Sequence, residues 1–149
     1  MPQVLHFYKF TGYSDSLLKI SDWESIYKSV KTLFEAQSRF DARIEDVISQ
    51  CFEPIALKRV SVTEQALTEK VENFDDVINY IFDCKVSSFF MVNRNIWNAI
   101  EQIISAKKAE FSQSEKDISS CFKVEREFIS DYFELESCFD KHILFVDVS

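Results

Sequence analysis

The chain has 149 residues and a mass of 17.5 kDa, the size of one ordinary domain, so a second independent core is not expected. Apolar residues make up 46% and aromatics 15%, with 15 phenylalanines among them, which excludes intrinsic disorder. Twenty-five acidic side chains against 17 basic ones leave a net charge of −8, which argues against a nucleic-acid partner unless a local patch reverses the sign.

From Gln3 to Phe10, Val4, His6, Tyr8 and Phe10 alternate with Leu5, Phe7 and Lys9, a period of two that predicts a strand. Thr11-Gly12-Tyr13-Ser14-Asp15 closes it with turn chemistry. Ser21 and Glu24 form a capping box, in which each side chain satisfies an orphan amide at a helix start. Trp23, Ile26, Tyr27, Val30, Leu33 and Phe34 follow on one face and predict a helix over 22–38. Asp41 is the expected N-cap of a second helix carrying Ile44, Val47, Ile48, Cys51 and Phe52. Pro54 ends it, because proline cannot extend the hydrogen-bond ladder.

Val60 and Val62 alternate within 55–62 as in a short strand. Leu67, Val71, Phe74, Ile78, Ile81 and Phe82 fit one helical stripe, with Asn73 and Asp75 as the place for a break. The run Phe89-Phe90-Met91-Val92 within 86–92 suits a strand buried on both faces. Asn95 is the expected cap of a helix whose Ile96, Trp97, Ile100, Ile103 and Ile104 form a stripe to about Glu110.

Over 115–139, Ile118, Cys121, Phe122, Phe128, Ile129, Tyr132, Phe133, Leu135 and Phe139 gather on one helical arc, which also takes in Glu125 and Glu136. Alternation at Phe122, Val124 and Phe128 leaves 119–126 open between helix and strand, while 127–138 reads as helix. Ile143 to Val148 reads as a final buried strand. The expected fold is one α+β or α/β domain over 1–149, with a sheet of three to four strands, partly parallel, and four to five helices. A mostly α bundle with short terminal strands is the alternative.

Chemistry is constrained by the single glycine, Gly12. A P-loop, a G-x-G-x-x-G turn and a G-x-S-x-G elbow each need several glycines where backbone approaches an oxyanion, so all three are excluded. Cys138 and His142 can be imagined as a nucleophile or metal pair, but they lack a third partner. Packing for Cys138 and capping for His142 are the simpler expectation. His6 reads as an ordinary strand histidine. Cys51, Cys84, Cys121 and Cys138 form no C-x-x-C, which excludes a zinc ribbon and a thioredoxin-like site. Three of the four lie on or beside apolar stripes, and they read as reduced thiols of a cytoplasmic protein.

No catalytic, cofactor-binding or metal-ligating residue emerges. No uncharged stretch exceeds eight residues, well short of the ~20 apolar residues of a membrane span. The first ten residues lack the apolar centre of a signal peptide, so none is expected.

The charge is uneven. Residues 1–63 hold 8 acidic and 8 basic side chains, 64–109 hold 7 and 5, and 110–149 hold 10 and 4, for nets of 0, −2 and −6. On a helix, Glu127, Asp131 and Glu134 stack at i, i+4 and i+7 into an acidic ridge, expected opposite the apolar arc. The ridge is the expected contact for a basic protein partner, and replacing all three by Gln should leave folding intact. Glu125, Glu136 and Tyr132 form a second candidate contact.

The function expected is that of an acidic cytoplasmic protein-binding module without cofactor. The foremost reading is an inhibitor or immunity protein that blocks a basic partner, such as a nucleic-acid-targeting toxin, by charge complementarity. A secretion chaperone or adaptor with apolar grooves is the alternative, and a carboxylate-dependent enzyme the second.

Overall fold

A computed structural model describes residues 3–11, 23–38, 52–83, 88–112 and 118–148. Along the chain run β1 (Leu5–Phe10), α1 (Trp23–Ser38), β2 (Phe52–Pro54), α2 (Glu64–Lys70), α3 (Phe74–Val77) and β3 (Asn79–Asp83). They are followed by β4 (Ser88–Met91), α4 (Arg94–Ser112), α5 (Ile118–Lys141) and β5 (Leu144–Val148). Most of the turn after Phe10, the Ser21 side of the capping box, the helix expected from Asp41, Cys51, Cys84 and the side chain of Cys121 lie outside the described residues.

The fold is mixed α+β. Its sheet has five strands in the order β2-β1-β5-β4-β3, and every neighbouring pair is antiparallel. Three to four strands, partly parallel, is thereby corrected, and the mostly α alternative is excluded. Strand direction follows from the number of chain reversals. A single helix between adjacent strands returns the chain to its starting end and makes them parallel. Between β4 and β5 there are two helices, α4 and α5, so β5 runs against β4.

Both faces of the sheet are covered. Leu5, Phe7, Phe90, Leu144, Val146 and Val148 point to one side, where Trp97, Ile100 and Ile104 of α4 and Phe128, Leu135 and Phe139 of α5 meet them. Phe10, Phe89, Met91 and Phe145 point to the other side, where Ile26, Val30 and Phe34 of α1 lie. Continuous apolar runs at 89–92 and 143–146 reflect this double burial. Such runs are commonest in parallel sheets, but an antiparallel sheet covered on both faces produces them equally.

Several local expectations are revised. Phe52 and Pro54 belong to an edge strand rather than a helix end, and Phe52 packs edge-on against Phe89 and Phe145, each at 4.9 Å between ring centres. Proline is tolerated there because an edge strand leaves one side of its backbone unpaired. The stripe from Leu67 to Phe82 is not one helix. Thr63 caps α2 by accepting the Ala66 amide at 3.1 Å, and Asn73 then turns left-handed at φ 55° before the single turn of α3. Ile78 and Ile81 share helical spacing yet are buried in the two opposite cores, as an extended segment allows.

The cap of α4 is Asn93, not Asn95, since its side-chain oxygen accepts the Ile96 amide at 3.0 Å. The Asn93 amide group donates to the Val77 carbonyl and to Asn79, tying the helix start to β3. The open stretch 119–126 is helical, part of α5. No strand forms over 55–62, although Val60 and Val62 are buried there.

Candidate functional site

The sequence-predicted contact residues all lie on α5, and the helix distributes them over two flanks with different surroundings. Glu127, Asp131, Glu134 and Cys138 fall on one line at about 100° per residue. That line does not face solvent opposite the core. It runs along the core's edge, where the irregular segment 55–62 leans on the helix. Asp131 is only 3% exposed.

The Asp131 carboxylate accepts three successive backbone amides. Lys58 donates to both oxygens at 3.0 and 2.9 Å, and Arg59 and Val60 donate to Oδ2 at 2.6 and 2.9 Å. This explains why 55–62 forms no strand: three of its amides are committed to a side chain. Next to it, Arg59 Nε donates to Glu127 Oε2 at 3.1 Å. Of the expected ridge Glu134 alone is exposed, and it borders a cavity of about 200 Å³ with Lys9, Glu53, Pro54, Ile55, Ser137, Cys138 and His142.

That cavity holds the Cys138 and His142 pair, and its electrostatics oppose nucleophilic chemistry. Burial pushes the Cys138 thiol up to about 12, with only Lys9 working against it among the charges nearby apart from two glutamates that reinforce the rise. A thiol in that state is a poor nucleophile, because the thiolate is the reactive form. Burial, then Lys9 and Lys141, lower the His142 imidazole below its ordinary value, so it stays neutral at pH 7. The helix end is satisfied by the His142 backbone amide, which donates to the Cys138 carbonyl at 2.8 Å.

The other flank of α5 faces α4. Tyr132 donates its hydroxyl to Glu101 Oε2 at 2.7 Å, and Glu136 lies one helical turn further along α5 on the same side. Burial raises the phenol's pKa, and the hydrogen bond to Glu101 and the negative charge of Glu136 raise it further. Tyr132 therefore lies inside an apolar arc for an internal reason: its hydroxyl meets a carboxylate of the neighbouring helix. Glu125 is half-buried on the same flank.

Beyond Tyr132 the two helices enclose an apolar groove of about 220 Å³ lined by Ile104, Ser105, Lys108, Phe128, Ile129, Tyr132 and Phe133. Phe133, expected within the buried arc, is 59% exposed and is the exposed large hydrophobic side chain among the described residues. It lies about 100° round the helix from Tyr132, just past the edge of the arc.

Glu101 was not anticipated from the sequence. Its signal is its isolation, as the one charged residue between Arg94 and Lys107. Lys58, Arg59 and Val60 act through backbone amides, which side-chain patterns do not report.

Among the described residues, no three histidine, cysteine, aspartate or glutamate side chains converge to hold a metal ion, and no helix is long and apolar enough to cross a membrane. No protein-family profile, curated protein or solved structure matches this chain.

Proposed function

We propose that this protein is an acidic, cytoplasmic protein-binding module that docks its partner on the outer side of the α4–α5 hairpin. Phe133 carries the reading. A single exposed aromatic is ordinary on a protein surface, but one that walls an apolar groove offers a partner's side chain something to bury against. The net charge of −8 supports a basic partner, since charge complementarity speeds encounter and suppresses wrong partners.

Within this class, inhibition of a basic partner in the manner of an immunity protein is the first reading, with a nucleic-acid-targeting toxin as the kind of protein blocked. The apolar groove favours a second, an adaptor or secretion chaperone that holds a partner segment. Affinity capture from the native host with the wild type and Phe133→Ser tests the docking face. A partner retained by the wild type and depleted about tenfold by the variant is expected. Equal recovery by both would overturn the reading. Association that slows steeply with added salt marks the inhibitor, and salt-tolerant association marks the adaptor.

A further inference from the structure

We infer that the element received by the α4–α5 groove is a cationic amphipathic helix of the partner, with apolar side chains against Ile104, Ile129 and Phe133 and an arginine or lysine between Glu101 and Glu136. This inference rests on the hairpin being the docking face. A groove between two helices is shaped to take a third, as in other helix-in-groove complexes. Strand addition is poorly served, because the edge strand β2 has three residues and ends in Pro54, and β3 is irregular between Tyr80 and Phe82.

The charge of the occupant follows from Tyr132. A phenol has one proton to donate, and here Glu101 takes it, while Glu136 stands one helical turn beyond Tyr132 on the same side of α5. None of the ion pairs among the described residues includes Glu101 or Glu136. Glu101 lies one helical turn from Ile104 and Ser105, and Glu136 one turn from Tyr132, so both carboxylates fall at the Tyr132 end of the groove, away from Lys108. Two like charges at that end call for a cation, and a guanidinium with its fork of donors suits two carboxylates best. From Ile129 to Glu136 is seven residues of helix, about 10 Å. A partner helix matching this spacing carries apolar residues at i and i+4 and a basic residue near i+7. A second copy of the chain is a poorer occupant, since each copy brings a net charge of −8.

The probe is a capped synthetic peptide helix with leucine on one face and arginine on the other. Controls are a version with glutamate for arginine and a scrambled version that destroys the apolar face. Calorimetry should show saturable binding of the arginine peptide alone. Phe133→Ser should weaken it about tenfold. The double variant Glu101→Gln and Glu136→Gln keeps an acceptor for Tyr132, and should also weaken binding about tenfold while flattening its salt dependence.

Glu134→Gln with Asp140→Asn removes the same charge from exposed sites elsewhere on α5 and should change little. No binding of the arginine peptide would overturn the inference. So would equal binding of the scrambled peptide, equal loss in the charge-control variant, or a dimer in sedimentation that Phe133→Ser dissolves. If a host partner is lost with Phe133→Ser yet bound normally by the Glu101 and Glu136 variant, the docking face stands and the cationic helix falls.

Discussion

Asp131 shows how a charged side chain can be structural. A carboxylate taken out of water is costly unless hydrogen bonds replace its hydration, and here three successive amides do so. Asp131→Ala should therefore destabilise the fold by about 3 kcal/mol, since the amides of Lys58 to Val60 lose a charged acceptor. Urea unfolding measures this, and a loss below ~1 kcal/mol would mean that 55–62 does not depend on the clasp. Replacing Glu127, Asp131 and Glu134 together by Gln should destabilise as well, contrary to what an exposed ridge implies.

His142 makes a pH prediction. Its folded pKa lies below the ordinary 6.5, so the unfolded chain takes up a proton that the folded chain resists. This stability is present above 6.5 and is lost as pH falls through the folded value. His142→Gln should match the wild type's pH trend above 7 and gain on it progressively as pH falls below 6.5. Parallel urea midpoints across that range would refute the assignment.

At the scale of elements, the α4–α5 hairpin holds one face of the sheet, and Trp97 is its centre. The indole stacks on Phe139 at 5.1 Å and on Tyr132 at 6.3 Å, and only 2% of the residue is exposed. Trp97→Ala should cost about 3–5 kcal/mol in urea unfolding, the range for a large buried aromatic. A loss under ~1 kcal/mol would place the hairpin's packing elsewhere. Helix periodicity made this stripe legible, because a long amphipathic helix repeats its pattern enough times to be distinctive. The stretch from Leu67 to Phe82 was not legible. Three short elements, none longer than seven residues, placed apolar side chains at i, i+3 and i+4 by coincidence of boundaries. The break at Asn73 was visible, but the change to extended backbone after Ile78 was not, since it is imposed by pairing with β4.

For the whole molecule, one sheet is shared by two cores, so loss of either should expose the other. Unfolding in one step is then the expected outcome. The Trp97 signal in Trp23→Phe reports on the α4–α5 side, and far-ultraviolet circular dichroism reports on the helices of both sides, α1 included. The two should coincide through a urea transition; two separated transitions would divide the chain into two units.

What the amino-acid order determined by itself was local: which segments carry a helical or alternating pattern, which runs are buried on both faces, and that glycine-dependent phosphate and oxyanion loops are absent. Periodicity records the apolar face of an element, and that survives any arrangement of its neighbours. Tertiary structure decided the rest. Strand number and direction depend on how many reversals separate two strands. The role of Asp131 depended on amides more than 70 residues away, and the exposure of Phe133 on where α4 ends its cover. An acidic side chain reads the same in sequence whether it meets water or three backbone amides, because only the folded chain brings the amides to it.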